Sequence, residues 1–368
     1  MKPLRDKIGM IGRRRLLAGG AALPALALMG AAAPQDRETK VIRLGSGPTG
    51  ATEFLFGGLI ANAISNPPGS RECERGGNCG VPGLITVAQT TGGAVENLRA
   101  VARGDIELGL SQADVASWLF DGSGPYAGQE PLSNLRAIGR LYPAAIHLVV
   151  RDTAKINGVT DLKGKRVGIG MNGTAQSVTP RMILSAFNVH ANQVQLKPLA
   201  FTAMTDALAA GTIDALFVVS AAPVLALEDL ARSTPIRIVP IAGPIADKIA
   251  DVLPYYSVGI VPAGTYGAPD DVQTLEVGIL LVARANLDDT LGFNIARALW
   301  HERNVALFQN GHPSGKTMAK EAAGSGYTLP LHQGAARYYL GQGISVPQQT
   351  MLAPVKPVRA NSPNSRSS

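Results

Sequence analysis

The sequence predicts an α/β chain of two similar lobes that face each other across a hinged cleft. Three observations carry this. Thr86 to Asp114 reads as a strand, a Thr/Gly turn, a short helix, a glycine stop and a second strand that ends on polar residues. The same order returns between Arg166 and Ser220, and the apolar runs beyond Ala231 supply elements that belong back with the first lobe. Within the first unit, Val95, Leu98 and Val101 recur at the spacing of one helix face, and Ile106, Leu108 and Leu110 alternate as in a strand. Ligands of open α/β sheets sit outside the carboxyl ends of the strands, so Thr90 to Gly93 and Ser111-Gln112 mark a small-molecule cleft.

A chain of 368 residues with 46% hydrophobic content suits two domains with sizeable cores. Its net charge of +7 is concentrated at the ends. Met1 to Ala33 contains six Lys/Arg and one Asp, which is +5 of the total and leaves +2 for everything after it. A near-neutral folded region excludes nucleic acid and anionic membrane as expected partners. Arg13-Arg14-Arg15-Leu16-Leu17, an Ala/Leu/Gly run broken by Pro24, and Ala31-Ala32-Ala33 form a basic segment, an apolar segment and a small-residue cleavage site. Residues 1–33 therefore read as a cleaved, twin-arginine-like export signal and place the mature chain in the periplasm. An uncleaved anchor is the alternative, although the stretch is weakly hydrophobic. Cys73 and Cys79, the two cysteines of the chain, flank a Gly-rich loop and in an oxidising compartment read as one disulfide.

In chain order, Lys40 to Leu44 is a strand, Gly45 to Gly50 a loop, and Glu53 to Ile64 a helix. The loop matches G-x-G-x-x-G, the pattern of a dinucleotide site, and its glycines with the following helix N-terminus suit an anion. The acidic residue expected roughly 20 positions on falls instead in the Cys loop, at Glu72 and Glu74. Val115 to Phe120 is a helix, and Leu135 to Val150 carries two apolar runs read as strands, with His147 packed in the second. In the second lobe, Arg166 to Gly170, Gln195 to Leu199 and Gly211 to Val219 are strands, while Ala175 to Phe187 and Thr205 to Ala210 are helices. Val277 to Ala283 is a buried strand, and Leu291 to Phe308 one helix with Trp300 and Leu307 on its apolar side. The expected lobes are 40–150 plus 245–345 and 151–244, with a disordered Pro/Asn/Ser tail at 353–368.

Four segments in this order, TTGGAVENLRAVARGDIELGLSQAD, DLKGKRVGIGMNGT, PYYSVGIVPAGTY and LPLHQGAARYYLGQG, resemble the TAXI branch of solute-binding receptors of tripartite ATP-independent periplasmic (TRAP) transporters. The resemblance spans Val41 to about Gly343. It implies a type II-like periplasmic-binding-protein architecture and no cofactor. It also implies a small solute, usually a carboxylate-bearing amino acid or organic acid, that is delivered to an ion-gradient-driven membrane permease. The residues suit that mode of binding. Helix N-termini, the turns holding Gly50, Gly92, Gly93 and Gly173, and the hydroxyls of Thr49, Thr52, Thr91, Thr174 and Ser220 can hold a carboxylate. Gln112 and Asn172 add a donor and an acceptor each, and Tyr256 or Tyr255 could cover the ligand from the hinge side. Each also has a structural reading, since Thr and Ser cap helices at such turns and tyrosines pack.

The first loop departs from the family's usual TGGTYYP: Ala51 replaces a glycine, and Glu53 and Phe54 replace the tyrosine pair. Ala94 similarly lacks the hydroxyl of TGGSVENL. Two readings of Glu53 follow. It pairs with an amino or other cationic group of the ligand, or it sits solvated in the first helical turn, where negative charge is favourable.

Catalytic patterns are weak. Gly311 to Thr317 resembles a P-loop but has only three residues between its glycines and no strand leading into it. No G-x-S-x-G or S-x-x-K occurs, and the five histidines show no metal spacing. His332 reads as a helix start packed on the first lobe. An exported nicotinamide-dependent oxidoreductase using the Gly45 to Gly50 loop, and a receptor of an ATP-driven importer, stand as the alternatives.

Overall fold

The structure is a computed structural model that describes residues 39–346. The expected export signal at 1–33 and the expected tail at 353–368 lie outside the described residues. The described residues form one compact unit.

The first unit runs β1 (Lys40–Gly45), α1 (Thr52–Ile64), the short β2 (Ser65–Asn66) and β3 (Val81–Pro82), β4 (Leu84–Gln89), α2 (Ala94–Arg103), β5 (Leu108–Gln112) and α3 (Ala113–Asp121). Val95, Leu98 and Val101 are buried as their spacing requires, and Gly104 ends α2 in a left-handed conformation at φ 84°. Ile106 is buried but lies in the turn before β5 rather than in the strand. β4 and β5 are not neighbours: β1 lies between them, parallel to both.

The next strand differs from the two short runs expected. β6 (Leu135–Arg151) is one continuous strand of 17 residues. Pro143 does not break it, because its missing N–H falls opposite Gly278, where the pairing shifts register. The chain then continues with β7 (Arg166–Ile169), α4 (Ala175–Ala186), β8 (Gln195–Pro198), α5 (Phe201–Ala209), β9 (Ala215–Ser220), α6 (Leu225–Ser233) and β10 (Ile236–Val239). After α7 (Pro244–Val252) and β11 (Tyr256–Val261) comes the second long strand, β12 (Val272–Arg284). The chain finishes with α8 (Asp289–Leu299), α9 (Glu302–Gly311) and α10 (Gln333–Gly341).

The expected single helix from Leu291 to Phe308 is therefore two. Trp300 ends α8 and donates its indole N–H to Tyr339 Oη at 2.9 Å. That bond seats the ring in the core between α8 and α10, and His301 then caps the N-terminus of α9.

All the long strands join one mixed sheet of order β4-β1-β5-β12-β6-β9-β7-β8, with β10 added to β6 and β11 to β12. β6 joins the two halves of the sheet within itself. Leu135 to Ala145 pair antiparallel with β12, and Ala145 to Val150 pair antiparallel with β9. Ala145 sits at the switch, opposite Glu276 on one side and Ser220 on the other. β6 and β12 are buried along nearly their whole length, which their almost unbroken apolar sequences allow. The carboxyl ends of β1, β5, β7 and β9 consequently meet along one seam.

Cys73 and Cys79 form the expected disulfide. Gly311 to Thr317 is the end of α9 followed by a 3-10 turn, not a phosphate loop, and it packs on the seam from behind. His332 caps α10, with Nδ1 accepting from the Gly334 N–H. His147 is fully buried, held by Ala145 O at 3.1 Å and Tyr266 Oη at 3.3 Å, and burial pushes its pKa down to about 4.

Candidate functional site

At the seam, the end of β9 docks against the start of α1. Ser220 Oγ accepts from the Thr52 N–H at 3.1 Å and donates to Glu53 Oε2 at 2.7 Å. Thr52 Oγ1 donates to Ala221 O at 2.6 Å. The chain after Ser220 is also fixed from the C-terminal part of the fold: His312 Nε2 pairs with Pro223 O at 3.0 Å, and Ser314 Oγ donates to Ala222 O at 2.9 Å. Helix α1 thus spends its first orphan N–H on a side chain at the end of β9.

Glu53 is buried at 9% exposure, which removes the solvated reading of this residue. Oε2 takes the Ser220 hydroxyl, and Oε1 is buried without a partner. Loss of solvation pushes its carboxyl up to about 7, with the Ser220 hydrogen bond opposing. Tyr142 of β6, stacked on Phe56 of α1 at 3.9 Å between ring centres, has a buried and unpartnered hydroxyl. Burial first and the nearby Glu53 second push that phenol well up.

A cavity of about 20 Å³ lies in the seam. Its wall includes Ser46, Gly47 and Glu53 from the first loop and helix, Gly92, Gly93 and Ala94 from the second turn, Ser111 and Gln112 from β5, and Ala175 and Gln176 from α4. Gln112 Nε2 reaches Val219 O at 3.4 Å, while its Oε1 is buried without a partner. Gln176 faces Val219 with its whole amide, donating to its carbonyl at 2.7 Å and accepting from its N–H at 2.9 Å.

Of the sequence-predicted residues, Glu53, Gly92, Gly93 and Gln112 line this cavity, and Thr52 and Ser220 brace Glu53 beside it. Asn172, Gly173 and Thr174 lie at its outer rim, in a groove of about 260 Å³ shared with Gly92, Glu96 and Arg99. Several predicted hydroxyls are spent locally. Thr91 Oγ1 accepts from the Gly93 N–H, and Thr174 Oγ1 donates to Met171 O. Thr49 is exposed, and Gly50, at φ 88°, faces Phe201 and Ala226 of the second lobe. Tyr256 is not at the cavity wall. Its hydroxyl donates to Asp114 Oδ2 at 2.6 Å, and Thr179 of α4 donates to the same oxygen at 2.7 Å. Asp114 is fully buried and its carboxyl is raised by burial, against those two hydrogen bonds. It is a second tie across the seam.

Sequence reasoning missed Ser46, Tyr142, Gln176, Asp114 and Asn97. Asn97, fully buried on α2, points its Nδ2 at the carbonyls of Gly45, Ser46 and Leu110 at 2.7 to 3.1 Å and so fixes the ends of β1 and β5 together. A Cβ on Gly45 would sit 2.3 Å from Asn97 Oδ1, which is why that position is glycine. A signal for Asn97 existed: a lone polar residue among Val95, Leu98 and Val101, beside the buried helix face.

The GSGPTG loop does not present a free anion site. The N–H of Thr52 is occupied by Ser220, and a buried carboxyl stands at the same helix end, where a pyrophosphate would need positive potential.

Several solved structures are similar in outline. The periplasmic aliphatic sulphonate binding protein SsuA from Escherichia coli matches with 14% identity and a TM-score of 0.45, over 83% of this chain and 94% of its own. The ligand-binding component of an ABC-type import system from Staphylococcus aureus matches with 12% identity and a TM-score of 0.46, over 86% and 97%. An ancestral arginine-binding protein matches with 14% identity and a TM-score of 0.44, over 74% and 96%. Likeness at this level bears on neither ligand nor transporter. The family model is decisive instead, because it matches residues 44–343, from the end of β1 to just past α10: the chain belongs to the NMT1-like family.

Proposed function

We propose that this chain is a periplasmic solute receptor, exported by the cleaved signal at 1–33, that takes a small carboxylate-bearing amino acid or organic acid between two lobes. In this reading it belongs to the TAXI branch and passes the solute to the membrane permease of a TRAP transporter. The lobes are 40–150 with 245–345, and 151–244. The observation that carries the reading is the meeting at one seam of the polar ends of β1, β5 and β9 with the N-termini of α1, α2 and α4. First-turn N–H groups have no partners inside their own helix, and those of α2 and α4 border the cavity, where they suit a carboxylate. No catalysis is proposed: Ser220, the hydroxyl at the centre of the seam, is spent on bracing Glu53 and the Thr52 N–H.

A thermal-shift screen of amino acids and organic acids tests the receptor reading. A true ligand at 100 times its dissociation constant stabilises by roughly 2.7 kcal/mol, a shift of a few degrees. Native mass spectrometry of protein from the periplasm should show a small acid; a bound nicotinamide dinucleotide would overturn the reading in favour of the oxidoreductase. The partner is tested by uptake into vesicles carrying the permease. Uptake should follow an ion gradient, and strict dependence on ATP would replace the TRAP permease with an ATP-driven importer.

A further inference from the structure

We infer that Glu53 and Gln112 form a subsite for the protonated amino group of the solute, so that this receptor selects amine-bearing acids over simple carboxylates. The inference rests on the receptor reading above and names its substrate class. Among the side chains lining the seam cavity, the buried polar atoms without a partner are Glu53 Oε1 and Gln112 Oε1, the first an acceptor when Glu53 is ionised and the second an amide acceptor. The Gln112 amide is oriented by its Nε2 contact to Val219 O, which leaves the carbonyl oxygen as the unmatched end. The other polar side chains of the wall are engaged. Ser46 Oγ donates to Gln89 O at 2.7 Å, Ser111 Oγ donates to Gln112 O at 2.9 Å, and Gln176 pairs with Val219. The hydroxyl oxygens of Ser46 and Ser111 keep lone pairs to offer, which adds to the acceptor character of the wall.

Among the described residues, no Lys, Arg or His lines the cavity, and its one ionisable side chain is Glu53. A second carboxylate there would meet like charge, whereas an ammonium brings three donors to a wall of acceptors. The volume agrees. About 20 Å³ admits one water-sized group, which is the size of an ammonium head, and the rest of a solute would extend to the rim between Gly92 and Thr174. The carboxylate then falls to the first turns of α2 and α4 on the same wall. The groups facing Glu53 are Thr52 on its own helix, Ser220 from β9 and Tyr142 from β6, none of them a cation. A carboxyl raised to about 7 by burial returns toward its ordinary value beside an ammonium, so binding at neutral pH releases protons from Glu53.

The experiment is calorimetry and thermal shift on the purified mature chain with matched probes: glutamate against glutarate, aspartate against succinate, leucine against isocaproate, with the remaining proteinogenic amino acids and 4-aminobutyrate. An amine-bearing probe should bind, with its amine-free counterpart at least tenfold weaker. Glu53→Gln should weaken the amine-bearing probe at least tenfold and abolish its proton release, read in buffers of different ionisation enthalpy at pH 7. Gln112→Leu, which leaves Glu53 and its Ser220 bond in place, should weaken the same probe several-fold. Equal binding of an amine-free counterpart, or unchanged affinity in either variant, overturns the amine subsite and leaves the receptor reading standing. Failure of every probe to bind the wild-type chain overturns both.

Discussion

Glu53 occupies the first turn of α1, a place where a carboxylate ordinarily gains a few tenths to one kcal/mol from the helix N-terminus. Here the loss of solvation is the larger effect, since the end of β9 covers the side chain and the carboxyl is pushed up to about 7. The folded state then holds a proton that the unfolded state releases near 4.5. Stability from this group is fully present below pH 4.5 and is lost as pH rises through about 7. At 1.36 kcal/mol for each pH unit between those values, the loss is on the order of 3 kcal/mol. Glu53→Gln should remove this slope, so that its urea stability relative to wild type is greater at pH 8 than at pH 4.5. A parallel offset at the two pH values would mean that Glu53 titrates normally. The residue was legible in the sequence as a departure from the family's tyrosine, but its burial was not, because the group that covers it lies 167 positions away.

At the scale of elements, the seam is held by ties between pieces distant in the chain. Asp114, at the start of α3, accepts hydrogen bonds from Thr179 of α4 and Tyr256 of β11. Asp114→Ala strands two buried hydroxyls, each costing about 1–3 kcal/mol when unsatisfied. Chemical denaturation should show a loss of about 2–5 kcal/mol, and Asp114→Asn, which keeps an acceptor, should lose less. The Cys73–Cys79 loop is a more local device. Closing so short a loop is worth about 2 kcal/mol in the chain-entropy account, so Cys73→Ser with Cys79→Ser should lower the melting temperature by a few degrees. That loop was readable from composition and compartment alone. The split of the expected helix at Trp300 was not, because a helical apolar pattern continues across it. The break comes from the indole finding Tyr339, a partner 39 positions away.

For the whole molecule, the cavity is the informative quantity. Its volume of about 20 Å³ admits a head group and not an entire amino acid, so the proposed receptor would have to open to load a solute. β6 and β12, the long strands that run through the middle of the sheet, would be the hinge of such an opening. A Cβ on Gly50 would lie 3.4 Å from the Ala226 Cβ across the seam, close to disulfide geometry. Gly50→Cys with Ala226→Cys should therefore form a cross-link. The left-handed backbone at Gly50 charges about 1–2 kcal/mol for the side chain, which the folded chain can carry. The oxidised double variant should lose ligand-induced thermal stabilisation and regain it on reduction, with reduced wild type as the control for its native bridge. Unimpaired binding by the cross-linked form would show that loading needs no opening here.

Sequence alone determined the α/β class, the order of nearly every strand and helix, the disulfide and the turns that border the cleft. Those features rest on periodicity, glycine placement and spacing, which act over a few residues. Tertiary structure decided that β6 is one strand shared by both halves of the sheet, that Glu53 is buried and raised while Tyr256 is spent on Asp114, and that Gln112 turns an unmatched oxygen into the seam. Each of these depends on contacts between residues more than sixty positions apart, and the cost of burying a polar group is set by what covers it, not by its neighbours in the chain.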